Sequence, residues 1–518
     1  MIRLSTPLEH SERSDATLQA RPIGIDTYQE PVVYMRADCP VCRSEGFESQ
    51  SRVRLRGNDT VLVATLNIVT GDWLEHGAAG LSDVAWRLLG AEAPCPVTFS
   101  HPEPVESFAQ VRAKLFGHAL APAGLEAIVD DIAARRYTEV QLSAFLTACV
   151  GDRMSSDEVV ALTRAMVAAG ERLSWDQPAV FDKHCVGGLP GNRTTPIVVA
   201  IATACGLTMP KTSSRAITSP AGTADTMETL APVDLSLTTM RRVVETEGGC
   251  LVWGGSVALS PADDVLIRIE RALDLDSEAQ LVASVLSKKL AAGSTHAIVD
   301  IPVGPTAKVR DEESADRLST VLQYTGAQLG LDVQVALTDG SQPVGRGIGP
   351  ALEARDVLAV LQNTADMPKD LRTRAALLAG RLLELSGRAH AGEGTAQALK
   401  VLNDGRAWQK FQAICEAQGG LRTPPVARHR HVVVADRTGQ VSRIDNRRLS
   451  KVAKLAGAPT ARAAGVDLQV HLGDAVDAGQ PVLTVHAEAP GELTYALEYL
   501  SQHADLMRIT EPDSEALP

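Results

Sequence analysis

Two loops and one helix face gather residues able to hold an anion and to ease a leaving group away. The first loop reads Asp182-Lys-His-Cys-Val-Gly-Gly-Leu-Pro-Gly-Asn-Arg-Thr-Thr-Pro196. Lys183 and Arg193 bring full charges, Thr194 and Thr195 bring hydroxyl donors, and glycines let a backbone approach a ligand closely. The second reads Lys211-Thr-Ser-Ser-Arg-Ala-Ile-Thr-Ser-Pro-Ala-Gly-Thr-Ala-Asp-Thr-Met-Glu228, with five hydroxyl residues and Arg215 ahead of Gly222-Thr223. Ser284 and Lys288 lie four apart, on one side of a helix. The first loop is neither a Walker A loop nor a G-x-G-x-x-G fingerprint. Taken singly, these residues have plainer readings. The first loop reads equally as a tight turn with solvated charges, His184 as a loop histidine, and Lys288-Lys289 as a solvated face. Asp276 in Leu-Asp-Ser-Glu reads as a helix start, and Asp263-Asp264 after Pro261 as capping rather than a metal pair.

Such residues need a frame to bring them together. Ala179-Val-Phe181 is a short apolar strand candidate, Pro196 to Cys205 is helix-like, and Leu207 to Met209 is extended. Strand, loop, helix, strand makes an α/β unit with a parallel sheet. Thr194 or Thr195 suits the N-cap and Pro196 the first helical turn. A helix N-terminus there offers N–H groups and partial positive charge to an anion. Two such loops after neighbouring strands converge where open α/β sheets bind ligands.

Ahead of this unit, residues 105–170 read as three helices. Leu125, Ile128, Val129 and Ile132 recur at helical spacing. Thr138-Glu-Val-Gln141 and Ser155-Ser-Asp-Glu158 are capping boxes, and Gly170 suits a C-cap. Residues 1–104 read as a β-rich module, with runs at Arg52–Leu55 and Thr60–Ile68 split by the turn Gly57-Asn58-Asp59. Residues 93–104, holding four prolines, read as a connection, and Cys39-Pro-Val-Cys42 as a turn. Residues 333–420 continue in α/β style. Gly419-Gly420 and Pro424-Pro425 mark a boundary before a small β-rich module.

Three motifs in order carry a resemblance. Ser213-Ser-Arg-Ala-Ile-Thr-Ser-Pro-Ala-Gly-Thr-Ala-Asp-Thr-Met-Glu228 resembles the signature of thymidine and pyrimidine nucleoside phosphorylases. Asp182-Lys-His-Cys-Val-Gly-Gly188 resembles that family's Asp-Lys-His-Ser-x-Gly-Gly loop, and Ala283-Ser-Val-Leu-Ser-Lys-Lys289 its Ala-Ser-Ile-Leu-Ser-Lys-Lys helix. The resemblance covers about residues 105–505. Gly-Gly-Leu-Pro-Gly-Asn and Lys-Thr-Ser-Ser-Arg-Ala-Ile-Thr-Ser are similar to the archaeal AMP phosphorylases and their bacterial type 2 relatives, which also carry an extra N-terminal module.

The resemblance implies an α/β protein of the nucleoside phosphorylase/phosphoribosyltransferase-like fold. Its expected parts are an N-terminal β-rich module (1–104), a helical lobe (105–175, joined by 262–295), an α/β phosphate-binding lobe (176–261 and 296–424) and a small C-terminal α+β domain (425–518). It implies phosphate on Lys183, Ser213 and Thr223, with Thr194 or Thr195 joining them in a loop two residues longer than the family's. Cys185 departs from the family's serine; a thiol is a weaker donor, although the backbone N–H there can still serve. It implies the base on Ser284, Lys288, His184 and Arg271. The AMP phosphorylases add Asp276 as proton donor. Their nucleotide contacts resemble Gly188, the run Ser214, Arg215, Ala216, Ile217, Thr218 and Ser219, then Thr223, Ser284 and Lys308. The implied chemistry is phosphorolysis of a C1′–N bond: phosphate is a substrate, no metal or other cofactor is called for, and the lobes close on a hinge. A nucleoside and a nucleoside 5′-monophosphate both remain open as substrate. The same fold also admits a magnesium-dependent phosphoribosyltransferase, and the same motifs admit a non-catalytic nucleotide-binding protein. The relatives imply a homodimer or a larger assembly.

Composition bounds the rest. At 518 residues the chain has room for about three domains. A net charge of −13 with no basic stretch argues against binding a nucleic-acid backbone. No apolar run suits a membrane span or signal peptide. Eight scattered cysteines fit a reducing cytoplasm.

Overall fold

Strict alternation builds the N-terminal module. The computed structural model describes residues 17–511, except 29, 217, 218, 258, 274 and 276 and the side chain of Arg271. Six strands, β1 (Leu18–Pro22), β2 (Val32–Arg36), β3 (Arg52–Gly57), β4 (Thr60–Val69), β5 (Ala78–Leu81) and β6 (Cys95–Ser100), close into a barrel in the order β1-β5-β2-β4-β3-β6. Val53, Leu55, Leu62, Ala64 and Leu66 point inward, every second residue of the hairpin formed by β3 and β4. Asn58 and Asp59 turn that hairpin with φ of 49° and 57°, which Asn and Asp tolerate better than most residues.

The proline-rich stretch is not a connection throughout: β6 lies within it and closes the barrel. Pro96 is accommodated because it sits near the strand's start, where β1 pairs with it and β3 does not. Cys39-Pro-Val-Cys42 is not a simple turn either. Pro40 opens the short helix Pro40–Glu45, and both cysteines are buried in the barrel core.

The helical stretch holds four helices rather than three: Phe108–Leu115, Pro122–Ala133, Glu139–Ala148 and Ser156–Ala168. The apolar periodicity of the first is too weak to mark it in the sequence. Both capping boxes form. Gly170 is not the C-cap, which is Ala169. Glycine is required there by a close approach, since a Cβ would lie 2.3 Å from the Leu259 carbonyl oxygen.

The chain divides into two compact units. One comprises the residues through His118 with Ala127–Phe145; the other comprises Ala119–Glu126 and everything from Leu146 on. In the first unit, Arg52 of β3 reaches the carbonyls of Arg135 and Tyr137, and Ser107 Oγ donates to Asp131.

The second unit contains the parallel sheet. Strands β7 (Phe181–Cys185), β10 (His296–Val303) and β11 (Asp332–Asp339) pair in the order β11-β10-β7, and β8 (Met209–Ser213) pairs with β9 (Gly249–Trp253). A single bridge, Val180 to Thr208, links the two sets. β7 begins where the apolar candidate ended and runs through Asp182-Lys-His-Cys185, so part of the expected loop is strand. The helix Thr194–Ala204 packs in the core with Ile197–Ala202 wholly buried. Its N-cap is Arg193, without a side-chain cap. The helices Pro261–Leu273 and Glu278–Ala291 pack on Ser156–Ala168. The C-terminal residues, joined in one sheet by the strand Gly347–Ile348, form two small sheets with the helices Asn446–Leu455 and Pro490–Gln502. No helix among the described residues is long and apolar enough to cross a membrane.

Candidate active site

The C-terminal ends of β7 and β8, their loops and the helix Glu278–Ala291 enclose a cleft of about 220 Å³. Among the described residues its lining carries seven lysine or arginine side chains and one carboxylate, Glu270. In a chain of net charge −13, that concentration marks a site for anions.

Alternation along β7 splits its charged residues between two faces. Lys183 is fully buried; its Nζ donates to Thr194 Oγ1 at 2.7 Å and faces Asp300 on β10 at 3.8 Å. Asp300 also accepts from Asn192 (3.3 Å) and Thr338 (2.7 Å). Asp182, on the other face, binds Lys211 of β8 at 3.0 Å and Lys289 of the helix at 2.8 Å. Burial alone would raise the Asp182 carboxyl, but the two ammoniums outweigh it and hold it below its ordinary value. The same group of charges governs His184. Burial first, then Lys289, Lys211, Lys288 and Lys183, keep its imidazole neutral far below the usual histidine range. Burial and Asp300 push the Cys185 thiol up to about 12, so it enters the site as a thiol.

The loop after β8 folds over the helix start at Thr223. Arg193 Nε pairs with Glu353 at 2.7 Å, while its other nitrogens donate to Thr223 Oγ1 (2.7 Å) and the Ala221 carbonyl (2.9 Å). Gly222 is squeezed against the Ser214 and Arg215 backbone, where a Cβ would meet atoms at 2.5 Å. The Ser213 hydroxyl is buried, lines the cleft and has no hydrogen-bond partner among the described residues, which leaves it for a ligand. Across the cleft, Lys288 forms an ion pair with buried Asp263 and donates to Ser284 Oγ at 3.3 Å. Burial opposes the Lys288 charge, but Asp263 prevails and raises it.

Of the residues singled out by sequence, Lys183, His184, Cys185, Gly188, Thr195, Ser213, Ser214, Arg215, Ser219, Thr223, Ser284, Lys288 and Lys308 line this one cleft. Thr194 lies beneath it, occupied by Lys183. Ala216 is not part of the lining; its N–H donates to Asp225 at 2.6 Å. Arg215 is held by Glu228 (2.7 Å) and Asp225 (3.2 Å) and lies over Trp253. Gly188 has φ +78°, and a Cβ there would lie 2.5 Å from that of Lys308. Ile217, Thr218 and Asp276 fall outside the described residues, and the helix Pro261–Leu273 carries Arg271, whose side chain does too. Ser277, next to Asp276, caps the following helix.

Sequence reasoning missed the buried carboxylates Asp182, Asp300, Asp263 and Glu353 as counterions, and Lys289 as part of the floor. A signal for Lys289 existed. Val282, Val285, Leu286 and Lys289 fall at helical spacing on one stripe, so a lysine stands where the pattern calls for an apolar residue.

Comparison with known proteins places this geometry. Residues 111–170 match the helical bundle domain of the glycosyl transferase family, 177–408 its a/b domain, and 440–506 the pyrimidine nucleoside phosphorylase C-terminal domain. A Polaromonas sp. protein named "Putative thymidine phosphorylase" is 62% identical, over 98% of this chain and 99% of its own length. The chain belongs to the thymidine and pyrimidine nucleoside phosphorylase family. A Legionella pneumophila family member of the same name is 56% identical over 97% of both chains. The crystal structure of anthranilate phosphoribosyltransferase from Thermus thermophilus superposes with a TM-score of 0.51 at 19% identity, over 60% of this chain and 99% of that one, which shows the shared fold. As a family member the protein is a pentosyltransferase.

Proposed function

We propose that this enzyme catalyses phosphorolysis of thymidine or a related pyrimidine nucleoside, yielding the free base and (deoxy)ribose 1-phosphate. The observation that carries the reading is one cleft with two differently equipped sides. Buried lysines and the unpartnered Ser213 hydroxyl form an anion floor, and Ser284 with Lys288 forms a facing wall.

In this scheme phosphate rests on the floor and its oxygen attacks C1′. The C1′–N bond breaks as the C1′–O bond forms, and the electron pair stays with the base. Cations and hydroxyls fix the phosphate in line, an effect of positioning. Lys288, kept charged by Asp263, donates to the base where negative charge develops. His184, neutral in this setting, offers an N–H rather than an imidazolium. The base then takes a proton, for which Asp276 is the donor suggested by the AMP phosphorylases.

A second reading, phosphorolysis of a nucleoside 5′-monophosphate to a base and ribose 1,5-bisphosphate, is favoured by Lys308, a further cation in the lining. Against it, Arg215 is already committed to Glu228 and Asp225. Thymidine, uridine, CMP, UMP and AMP are to be assayed with phosphate. Turnover of the nucleosides is expected; activity confined to monophosphates would overturn the first reading. Turnover that persists with a chelator present separates both from a magnesium-dependent phosphoribosyltransferase.

A further inference from the structure

The buried charges beneath the floor of the cleft do not balance. Asp182 Oδ1 meets Lys211 Nζ at 3.0 Å, and Asp182 Oδ2 meets Lys289 Nζ at 2.8 Å. Lys183 faces Asp300 at 3.8 Å. Among the described residues that makes three ammoniums against two carboxylates, with side-chain exposures from 0 to 4%. Both oxygens of Asp182 are taken, so Lys211 and Lys289 divide one negative charge. A buried cation lacking a full counterion either loses its proton or awaits an anion.

Among the described residues, Asp182 is the carboxylate that acts on Lys289, while Asp264 and Glu270 of the helix Pro261–Leu273 act on Lys288. His184 of β7, Lys183 and the adjacent Lys288 are neutral or cationic neighbours, and Lys288 has its own partner in Asp263. Cys250 of β9 lies against Asp182 and Lys211, and burial holds it as a thiol. On the helices packed against Glu278–Ala291, Glu158 accepts from the Leu120 and Ser155 N–H groups, Asp157 accepts from Tyr324, and Arg317 pairs with Glu313. Of the two lysines that share Asp182, burial and Lys211, working against Asp182, bring Lys289 down to about 7.

We propose that Lys289 takes up a proton when phosphate enters the cleft and releases it when phosphate leaves, so that the surplus positive charge exists only while an anion is there to meet it. This rests on the reading that phosphate binds on this floor. The proton comes from water; the Lys289 amine becomes an ammonium, and no other bond changes. By linkage, phosphate affinity then weakens as pH rises through the free enzyme's Lys289 titration, at close to one proton per phosphate bound.

The test is calorimetric titration of the whole protein with inorganic phosphate at pH 8, in two buffers of different ionisation enthalpy, which counts protons taken up. Wild type is expected to take up about one proton more than Lys289→Arg, whose guanidinium stays charged throughout. Lys211→Met is the second variant. It leaves Lys289 alone with Asp182 as an ordinary charged pair, so its extra uptake also disappears. Equal proton counts in wild type and Lys289→Arg overturn the proposal. If that variant does not fold, uptake retained in Lys211→Met overturns it. Phosphate binding by wild type with no uptake overturns it without any variant. Failure of wild type to bind phosphate sinks the phosphorolysis reading itself, and this inference with it.

Discussion

The two sides of the cleft hold lysines by different means. On the wall, Lys288 has a buried aspartate of its own, Asp263, and is one-fifth exposed. On the floor, Lys211 and Lys289 share Asp182, and all three are shut away from water. A lysine with its own partner is a fixed charge; a lysine sharing one can change its protonation. The wall is therefore suited to a constant demand, a donor for the base in every turnover. The floor is suited to a demand that comes and goes with phosphate.

The sharpest way to break this contrast is to remove the two aspartates in turn. Asp182→Ala takes the shared counterion from Lys211 and Lys289, both shut away from water, and loss of one partner of a buried pair costs about 3–5 kcal/mol. Asp263→Ala takes it from Lys288 alone, which keeps some contact with water, so its cost falls near the lower end, about 3 kcal/mol. Denaturant unfolding of both variants checks the order; a larger loss for Asp263→Ala would show the wall to be the more strained side. Next in size is Lys288→Gln. It is expected to lower nucleoside turnover about 10²–10³-fold while phosphate affinity, measured by titration, stays at the wild-type value. A matching loss of phosphate affinity would mean the two sides do not act separately.

The smallest effect, taken per pH unit, is in the pH dependence of stability. His184 stays neutral in the fold, whereas the unfolded chain binds a proton below about 6.5. Stability should fall as pH drops below that value, by roughly 1.4 kcal/mol per unit at most, and His184→Asn should remove the slope. Lys289 acts in the same sense over a different window. Between about 7 and 10.5 the unfolded lysine holds a proton that the folded one has released, so stability rises with pH there. Thermal unfolding across pH, with and without phosphate, checks both; phosphate should flatten the upper window and leave the lower one.

The chemistry of the site was more legible than its frame. Hydroxyls, lysines and glycines in two loops pointed to an anion site, because ligand contacts are made by residue types that a core would not choose. The counterions were not legible. Asp182 and Asp300 stand on neighbouring buried strands, where a carboxylate breaks the apolar pattern, and only the strand pairing and the lysines opposite explain them. Arg193 read only as a charge on the first loop; in the fold it lines the cleft and fastens Thr223 and Glu353 together. The frame was misjudged where sequence punctuation has two uses. Prolines suggested a connection at β6 and a glycine suggested a cap at residue 170. In the fold one proline occupies a half-paired strand position, and the glycine makes room for a carbonyl. Local propensity could not register either, since the deciding neighbour lies far along the chain.

Closure of the N-terminal barrel has a consequence for recognition. β6 is the keystone, joining β1 on one side and β3 on the other, so every strand of the ring has two neighbours. An open sheet can recruit a foreign segment by lending it a row of backbone amides, with little regard for sequence. Among the described residues this ring has no strand that lacks a neighbour on either side. Recognition by the module therefore falls mainly to its side chains and loops, and surface residues there can change without disturbing the ring.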